Sequence, residues 1–168
     1  MSSRRVCFSH GKESGPWGTK IEALAAVARD AGWEVESLDY QGMDDADKRV
    51  GKLEAWCAEQ SDPYVLVGSS MGGHVGTAAA NGKGVHTLGL FLMAPAFYMS
   101  GFEQFTPKPP LCPITIVHGW RDDIVPWQNS ACFAEPAHCK LVLVDDDHRL
   151  IDALPAIEAE FRLFLSQL

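Results

Sequence analysis

The chain has 168 residues, of which 46% are apolar and 21% charged, and its formal net charge is −8. This size and composition predict one globular domain, residues 1–168, that buries most of its apolar surface. The acidic balance disfavours binding to nucleic acid or to anionic membranes, and the sequence has no run of about 18 apolar residues that could span a bilayer.

The first half of the chain alternates strands with helices. Arg5 to Ser9 is predicted to be a short apolar strand that ends in His10-Gly11, and a glycine-rich loop and an amphipathic helix follow it. Glu34 to Leu38 alternates as a second strand. Asp44 to Glu59 is predicted to be a helix, because its aspartates lie at the amino end, where the helix dipole favours them. Its expected apolar face consists of Val50, Leu53, Ala55, Trp56 and Cys57.

The second half continues the alternation. Further strands are predicted at Tyr64–Val67, Thr87–Met93, Ile114–His118 and Lys140–Val144, with helices at Val75–Asn81, Trp127–Ala134 and Pro155–Leu165. Ala94 to Pro113 contains five prolines and cannot be a regular helix throughout. Six strands alternating with helices predict a three-layer α/β/α sandwich with a six-stranded, mostly parallel sheet.

A G-x-S-x-G pentapeptide, Gly68-Ser69-Ser70-Met71-Gly72, connects the third strand to its helix. This context predicts a tight turn that holds Ser70 in a strained backbone conformation and projects its hydroxyl from the sheet edge. Gly68 and Gly72 would let strand and helix approach closely without a Cβ clash. Taken alone, the pentapeptide fits equally well a glycine-rich turn that binds a phosphate or nothing.

An aspartate and a histidine follow later strands. Asp122 comes after the fifth strand and His148 after the sixth. Because the carboxyl ends of parallel strands meet at one edge of the sheet, we expect both to lie near Ser70. Ser69 and Asp123 are the neighbouring alternatives, and the register of the motifs favours Ser70 and Asp122. The residues before the histidine, Asp145, Asp146 and Asp147, are interpreted as a solvated cluster that caps a helix.

Together these segments resemble the α/β-hydrolase superfamily, in the form of its small, nearly lidless bacterial serine hydrolases. The matching pieces are His10-Gly11, Gly68 to Gly73, His118-Gly119-x-x-Asp122-x-x-Val125-Pro126 and the histidine after the last strand. The chain order Ser, Asp, His is that of the superfamily. The superfamily fold has eight strands, so the resemblance implies a truncated version that lacks the first two and most of the helical insertion.

The resemblance implies a role for each site residue. Ser70 would be the nucleophile, His148 the general base, and Asp122 the group that orients the imidazole. The backbone N–H groups of Met71 and Lys12 would form the oxyanion hole.

The substrate pocket is expected beside the irregular segment. Its candidate residues are Trp17, Phe97, Tyr98 and Met99, with Phe102 and Phe105 beyond them. The alternative is that these side chains cover the sheet where a longer lid would lie.

These features predict a small carboxylesterase that forms an acyl-enzyme on Ser70. The alternatives are a thioesterase, amidase or acyltransferase with the same triad, or a non-catalytic binding protein on this scaffold. The expected partner is a small-molecule acyl substrate, and the chain would be a monomer or a homodimer, since exposed edge strands can pair.

Neither a cofactor nor a metal is expected. No glycine motif fits a nucleotide, and no cluster of side chains has metal-ligand spacing. The five cysteines are scattered without a C-x-x-C pair, which favours free thiols. Residues 1–10 lack the apolar core of a signal peptide, which predicts a cytoplasmic protein.

Overall fold

The computed structural model describes residues 3–100 and 106–168. The strands in these ranges form one sheet in which every neighbouring pair is parallel. They are β1 (Arg5–Ser9), β2 (Glu34–Leu38), β3 (Tyr64–Ser69), β4 (Thr87–Met93), β5 (Ile114–Gly119) and β6 (Lys140–Val144). The predicted six-stranded sheet is confirmed.

The strand order is β2-β1-β3-β4-β5-β6. The chain moves outward from β1 to β2, then returns to the other side of β1 and continues in the opposite direction. This reversal opens a crevice at the carboxyl ends of β1 and β3, which is where ligands bind in open α/β sheets. The loop after β1 and the serine turn after β3 both lie at that crevice.

Five helices of the described residues cover the two faces of the sheet. They are α1 (Thr19–Asp30), α2 (Ala46–Glu59), α3 (Met71–Asn81), α4 (Trp127–Ala137) and α5 (Leu154–Ser166). The core on one face includes Leu24 of α1 and Phe161 of α5. The core on the other face includes Trp56 of α2, Val75 of α3 and Phe133 of α4. In the described ranges, no helix is long and apolar enough to cross a membrane.

Three helices differ from expectation in detail. Helix α3 begins at Met71, four residues before the predicted start, so that the helix follows the serine directly. Helix α4 continues to Ala137 although it contains Pro136, which lies in the last turn, where few hydrogen bonds remain to be lost. On α2, Ala55 is exposed and Arg49 is buried, contrary to the expected apolar face.

Candidate active site

Ser70 occupies the turn between β3 and α3 with φ 55° and ψ −120°. A non-glycine residue with a positive φ is strained and persists only where its surroundings hold it. Here the Ser70 N–H donates to the carbonyl of Met93 at 2.9 Å, and the Ser70 carbonyl accepts from the N–H groups of Gly73 and Ala96 at 2.9 and 3.0 Å. The strained turn predicted from the pentapeptide is present.

The two glycines of the pentapeptide allow the close approach that the turn needs. A Cβ on Gly68 would lie 2.5 Å from the carbonyl oxygen of Gly72. A Cβ on Gly72 would overlap the carbonyl of Ser9 and lie 2.6 Å from the carbonyl oxygen of His10. Both contacts are with backbone atoms, so no side-chain rotation can relieve them.

His148 connects the serine to the aspartate. Its Nε2 lies 3.0 Å from Ser70 Oγ, and its Nδ1 lies 2.7 Å from Asp122 Oδ2. In the neutral ring Nδ1–H donates to the carboxylate, which leaves Nε2 to accept the serine proton. The alternative residue Asp123 is exposed, and the imidazole contacts Asp122 instead.

The Asp122 carboxylate is bound by two backbone amides and two histidine rings. Its Oδ1 accepts from the N–H groups of Ile124 and Val125 at 2.9 and 2.8 Å, and its Oδ2 lies 3.0 Å from His118 Nε2. Burial raises the pKa of Asp122, but the bonds from His118 and His148 and those from the two amides outweigh burial and hold the pKa well below its usual range. The carboxylate therefore stays ionised beside the imidazole.

His118 has a larger part in the site than the sequence indicated. In the sequence, His118 was notable only as the first residue of the motif that contains Asp122. The ring is fully buried, with Nδ1 2.7 Å from Ser130 Oγ and Nε2 2.8 Å from the carbonyl of Val125. Because that carbonyl can only accept, Nε2 carries the proton and also faces the Asp122 carboxylate. His118 lies in β5 and Asp122 in the loop after it, so no helical spacing marked this contact in the sequence.

The loop that carries His148 is braced by a buried carboxylate. Asp146 is 3% exposed, and its two oxygens accept from the N–H groups of Asp147 and Ala153 at 2.7 and 2.8 Å. The expectation of a solvated cluster is therefore wrong for Asp146. The capping part of that expectation holds, because Ala153 is the N-cap of α5.

A cavity of about 990 Å³ adjoins the serine. Gly11, Lys12, Met71 and His148 line it together with Ser70. Met71 is the first residue of α3, and the first N–H groups of a helix have no partner within the helix. The lining also has apolar side chains, among them Ile21, Met99, Ile124 and Ile151, beside further polar and charged ones.

Of two expected pocket residues, one lines the cavity and the other is buried in the core. Met99 lines the cavity. Phe97 is fully buried and stacks on Phe133 with ring centroids 4.1 Å apart. Its side chain therefore belongs to the core between the sheet and α4, as the covering alternative supposed.

The remaining aromatic candidates do not line this cavity in the part of the chain that the structure describes. Trp17 and Tyr98 are 44% and 37% exposed and are absent from the cavity wall. Phe102 and Phe105 lie outside the described residues. Residues 3–100 and 106–168 contain no group of three or more side chains that could hold a metal ion.

A parallel sheet with a strained serine between strand and helix, and with a histidine and an aspartate at the same edge, is the arrangement of α/β-hydrolases. The comparison with solved structures agrees. A protein of Xanthomonas campestris pv. campestris, assigned to the hydrolases of the alpha/beta superfamily, is 32% identical with a TM-score of 0.86. The alignment covers 99% of this chain and 100% of that one. The chain belongs to the α/β-hydrolase superfamily.

More distant similarities include a solved structure and a curated thioesterase. Est1E from Butyrivibrio proteoclasticus matches with a TM-score of 0.84 and 17% identity, over 98% of this chain and 87% of its own. Palmitoyl-protein thioesterase ABHD10, mitochondrial, from Bos taurus is 25% identical over 77% of this chain. The match spans only 60% of the length of that curated relative. No family model matches the chain.

Proposed function

We propose that the protein is a serine hydrolase that cleaves carboxylic esters through an acyl-enzyme on Ser70. The observation that supports this most strongly is the unbroken hydrogen-bond chain from Ser70 Oγ through His148 to Asp122, at 3.0 and 2.7 Å. Ser70 and His148, at one end of this series of hydrogen bonds, line a cavity large enough for a small ester.

In the first half-reaction, Ser70 Oγ attacks the carbonyl carbon of the ester while His148 Nε2 takes the hydroxyl proton. The imidazolium that forms is stabilised by the ionised Asp122. When the tetrahedral intermediate collapses, the ester C–O bond breaks and His148 gives its proton to the departing alkoxide. The alcohol leaves, and the acyl group remains on Ser70.

The second half-reaction repeats these steps with water. His148 Nε2 takes a proton from the water as its oxygen attacks the acyl carbon, then returns a proton to Ser70 Oγ as the acyl bond breaks. The carboxylic acid is released and the enzyme regains its starting state. No step requires a cofactor.

The negative oxygen of each tetrahedral intermediate needs hydrogen-bond donors. We assign this role to the backbone N–H groups of Met71, at the start of α3, and of Lys12, on the loop after β1. Both residues line the cavity beside Ser70. Each such donor contributes about 3 kcal/mol to the transition state.

The cavity bears on the substrate class. Its apolar lining suits an uncharged acyl chain, and Met99 and Ile151 would contact that chain. A thioester is the second candidate, favoured by the similarity to the bovine thioesterase. A thiolate is a better leaving group than an alkoxide, so the same residues suffice for either bond.

The test is a panel of paired substrates assayed with the wild type and with Ser70→Ala. Each pair joins one acyl group, from acetyl to palmitoyl, to an alcohol and to N-acetylcysteamine. We expect turnover that Ser70→Ala abolishes, with the ester-to-thioester ratio at constant acyl length deciding between the two candidates. A folded wild type that turns over neither series would contradict the proposal and favour a binding protein on the hydrolase scaffold.

A further inference from the structure

Arg49, on α2, is a buried cation that forms no ion pair in the part of the chain that the structure describes. It is 1% exposed. Its guanidinium donates only to carbonyl oxygens: Nε to Met43 at 2.7 Å, Nη1 to His10 and Gly11 at 3.3 and 3.1 Å, and Nη2 to Lys12 at 3.5 Å. Burying an unpaired charge is costly, so this arrangement must stabilise a backbone conformation that the loop would not keep alone.

The loop concerned contains the peptide unit that carries the Lys12 N–H. In a planar trans peptide, the Gly11 carbonyl and the Lys12 N–H belong to one rigid unit and point in opposite directions. No described peptide bond is cis. Holding the Gly11 oxygen against the guanidinium therefore turns the Lys12 N–H away from Arg49.

The same loop also lies against the serine turn. A Cβ built on Gly11 would lie 3.5 Å from Ser70 Cβ, and Gly11 and Lys12 line the cavity with Ser70. The Lys12 N–H, which is turned away from the guanidinium, therefore belongs to a part of the loop that lines the cavity.

A second donor fixes the same oxygen. His10 Nδ1 lies 2.8 Å from the Gly11 carbonyl, while His10 Nε2 accepts the Tyr40 N–H at 2.8 Å. Because Nε2 accepts, the proton must be on Nδ1, where it bonds the carbonyl. Burial lowers the pKa of His10, which keeps the ring in this neutral form. Arg49 also lies over the Tyr40 ring, 5.2 Å from its centroid.

We propose that Arg49 is a positioning residue of the oxyanion hole, which holds the Gly11–Lys12 peptide so that the Lys12 N–H faces the oxyanion at Ser70. This rests on the proposed hydrolase function. The positive charge of the guanidinium lies at the carbonyl end of the Gly11–Lys12 peptide dipole, and the N–H end of that dipole would stabilise the oxyanion. Arg49 itself does not line the cavity.

The experiment compares Arg49→Lys and Arg49→Met with Arg5→Lys. Arg5 lies at the opposite end of β1, where it pairs with Glu34 and Glu36 at 3.3 and 3.6 Å, so its substitution is a matched control. Loss of one oxyanion donor lowers kcat by about 10²–10³. We expect a fall of about 10² for Arg49→Met, a smaller fall for Arg49→Lys, and little change in KM for either.

The pH profile separates positioning from general damage. We expect the pH profile of kcat/KM to keep its wild-type shape in both Arg49 variants, because the triad is untouched. Arg5→Lys should match the wild type throughout. A kcat within about threefold of wild type in folded Arg49→Met, or a loss confined to KM, would overturn the proposal.

Crystal structures of the variants test the positioning role of Arg49 independently of turnover. In Arg49→Lys, whose single ammonium cannot hold three successive carbonyls, the Gly11–Lys12 peptide should rotate while Ser70 and His148 stay in place. An unchanged peptide would refute the positioning role even if Arg49→Met failed to fold. Absence of turnover in the wild type would instead refute the hydrolase function, so the two failures are distinguishable.

Discussion

Substituting Gly72 with alanine should disturb the fold and the site together. Gly72 lies where α3 crosses the end of β1, and an added Cβ would overlap the carbonyl of Ser9 and lie 2.6 Å from the carbonyl oxygen of His10. Both neighbours are backbone atoms of the strand and loop that lead to the oxyanion hole. The methyl group can be accommodated only if the helix or the strand moves.

The size of the effect follows from that overlap. Contacts under 3.0 Å essentially never occur for real Cβ atoms, and forcing extra volume into a packed core costs about 1–3 kcal/mol. For a chain of this size, each kcal/mol shifts the Tm by about 2–4 °C. We therefore expect Gly72→Ala to lower the Tm by about 2–12 °C, and to lower kcat as well.

The same helix supplies a matched control. A Cβ on Gly76 would meet only Leu90 Cδ2, at 3.9 Å, which is an ordinary contact. Gly76→Ala should therefore raise stability by about 0.5–1 kcal/mol, because glycine inside a helix loses more conformational freedom on folding than alanine. Thermal unfolding followed by circular dichroism compares the two variants. A Gly72→Ala protein as stable as Gly76→Ala would refute the close approach of α3 to β1.

Three further predictions concern the site. The depressed pKa of Asp122 gives stability that is present above its unfolded pKa of about 3.9 and is lost as the pH falls below it. Between pH 5 and pH 2, Asp122→Asn should therefore lose less stability than the wild type does, as measured by urea titration, and its kcat should fall by about 10⁴. Equal losses of stability in the two proteins would contradict the anchored carboxylate. Burial, partly offset by Asp122 and Asp146, lowers the pKa of Lys20 to about 8, so its ¹³Cε resonance should titrate near pH 8; a midpoint above 10 would show an ordinary solvated lysine. Met99→Trp should fill the cavity and lower kcat/KM for octanoyl more than for acetyl esters, whereas a uniform loss would place the acyl chain elsewhere.

The fold was predictable because its signals are local. Most strands, such as Thr87–Met93, are short runs of mainly apolar residues bounded by turns, and the parallel arrangement follows from the helices between the strands. The partners of Ser70 were predictable for a related reason. Residues that follow different parallel strands meet at one edge, so position in the chain placed Asp122 and His148 near the serine.

Arg49 could not be predicted as buried. A charged residue in an amphipathic helix ordinarily faces water. The carbonyls that bind its guanidinium are 37 to 39 residues away along the chain at His10, Gly11 and Lys12. Backbone oxygens carry no side-chain signature, so nothing in the sequence marked them as partners.

In the irregular segment after β4, the positions of the side chains could not be predicted, for a different reason. Without helical or strand periodicity, the sequence does not say which side chains point inward. Phe97 enters the core and Met99, two residues later, lines the cavity. The aromatic residues were candidates either for a pocket wall or for a cover over the sheet, and packing against Phe133 places Phe97 in the core.

The central claim is that Ser70, activated by His148, is the nucleophile. The most direct measurement is the site of covalent labelling by a fluorophosphonate, mapped by mass spectrometry of peptides from the wild type, Ser70→Ala and Ser69→Ala. We predict a single adduct on Ser70 in the wild type and in Ser69→Ala, and none in Ser70→Ala. A folded wild type that is not labelled, or a label on Ser69, would contradict the account.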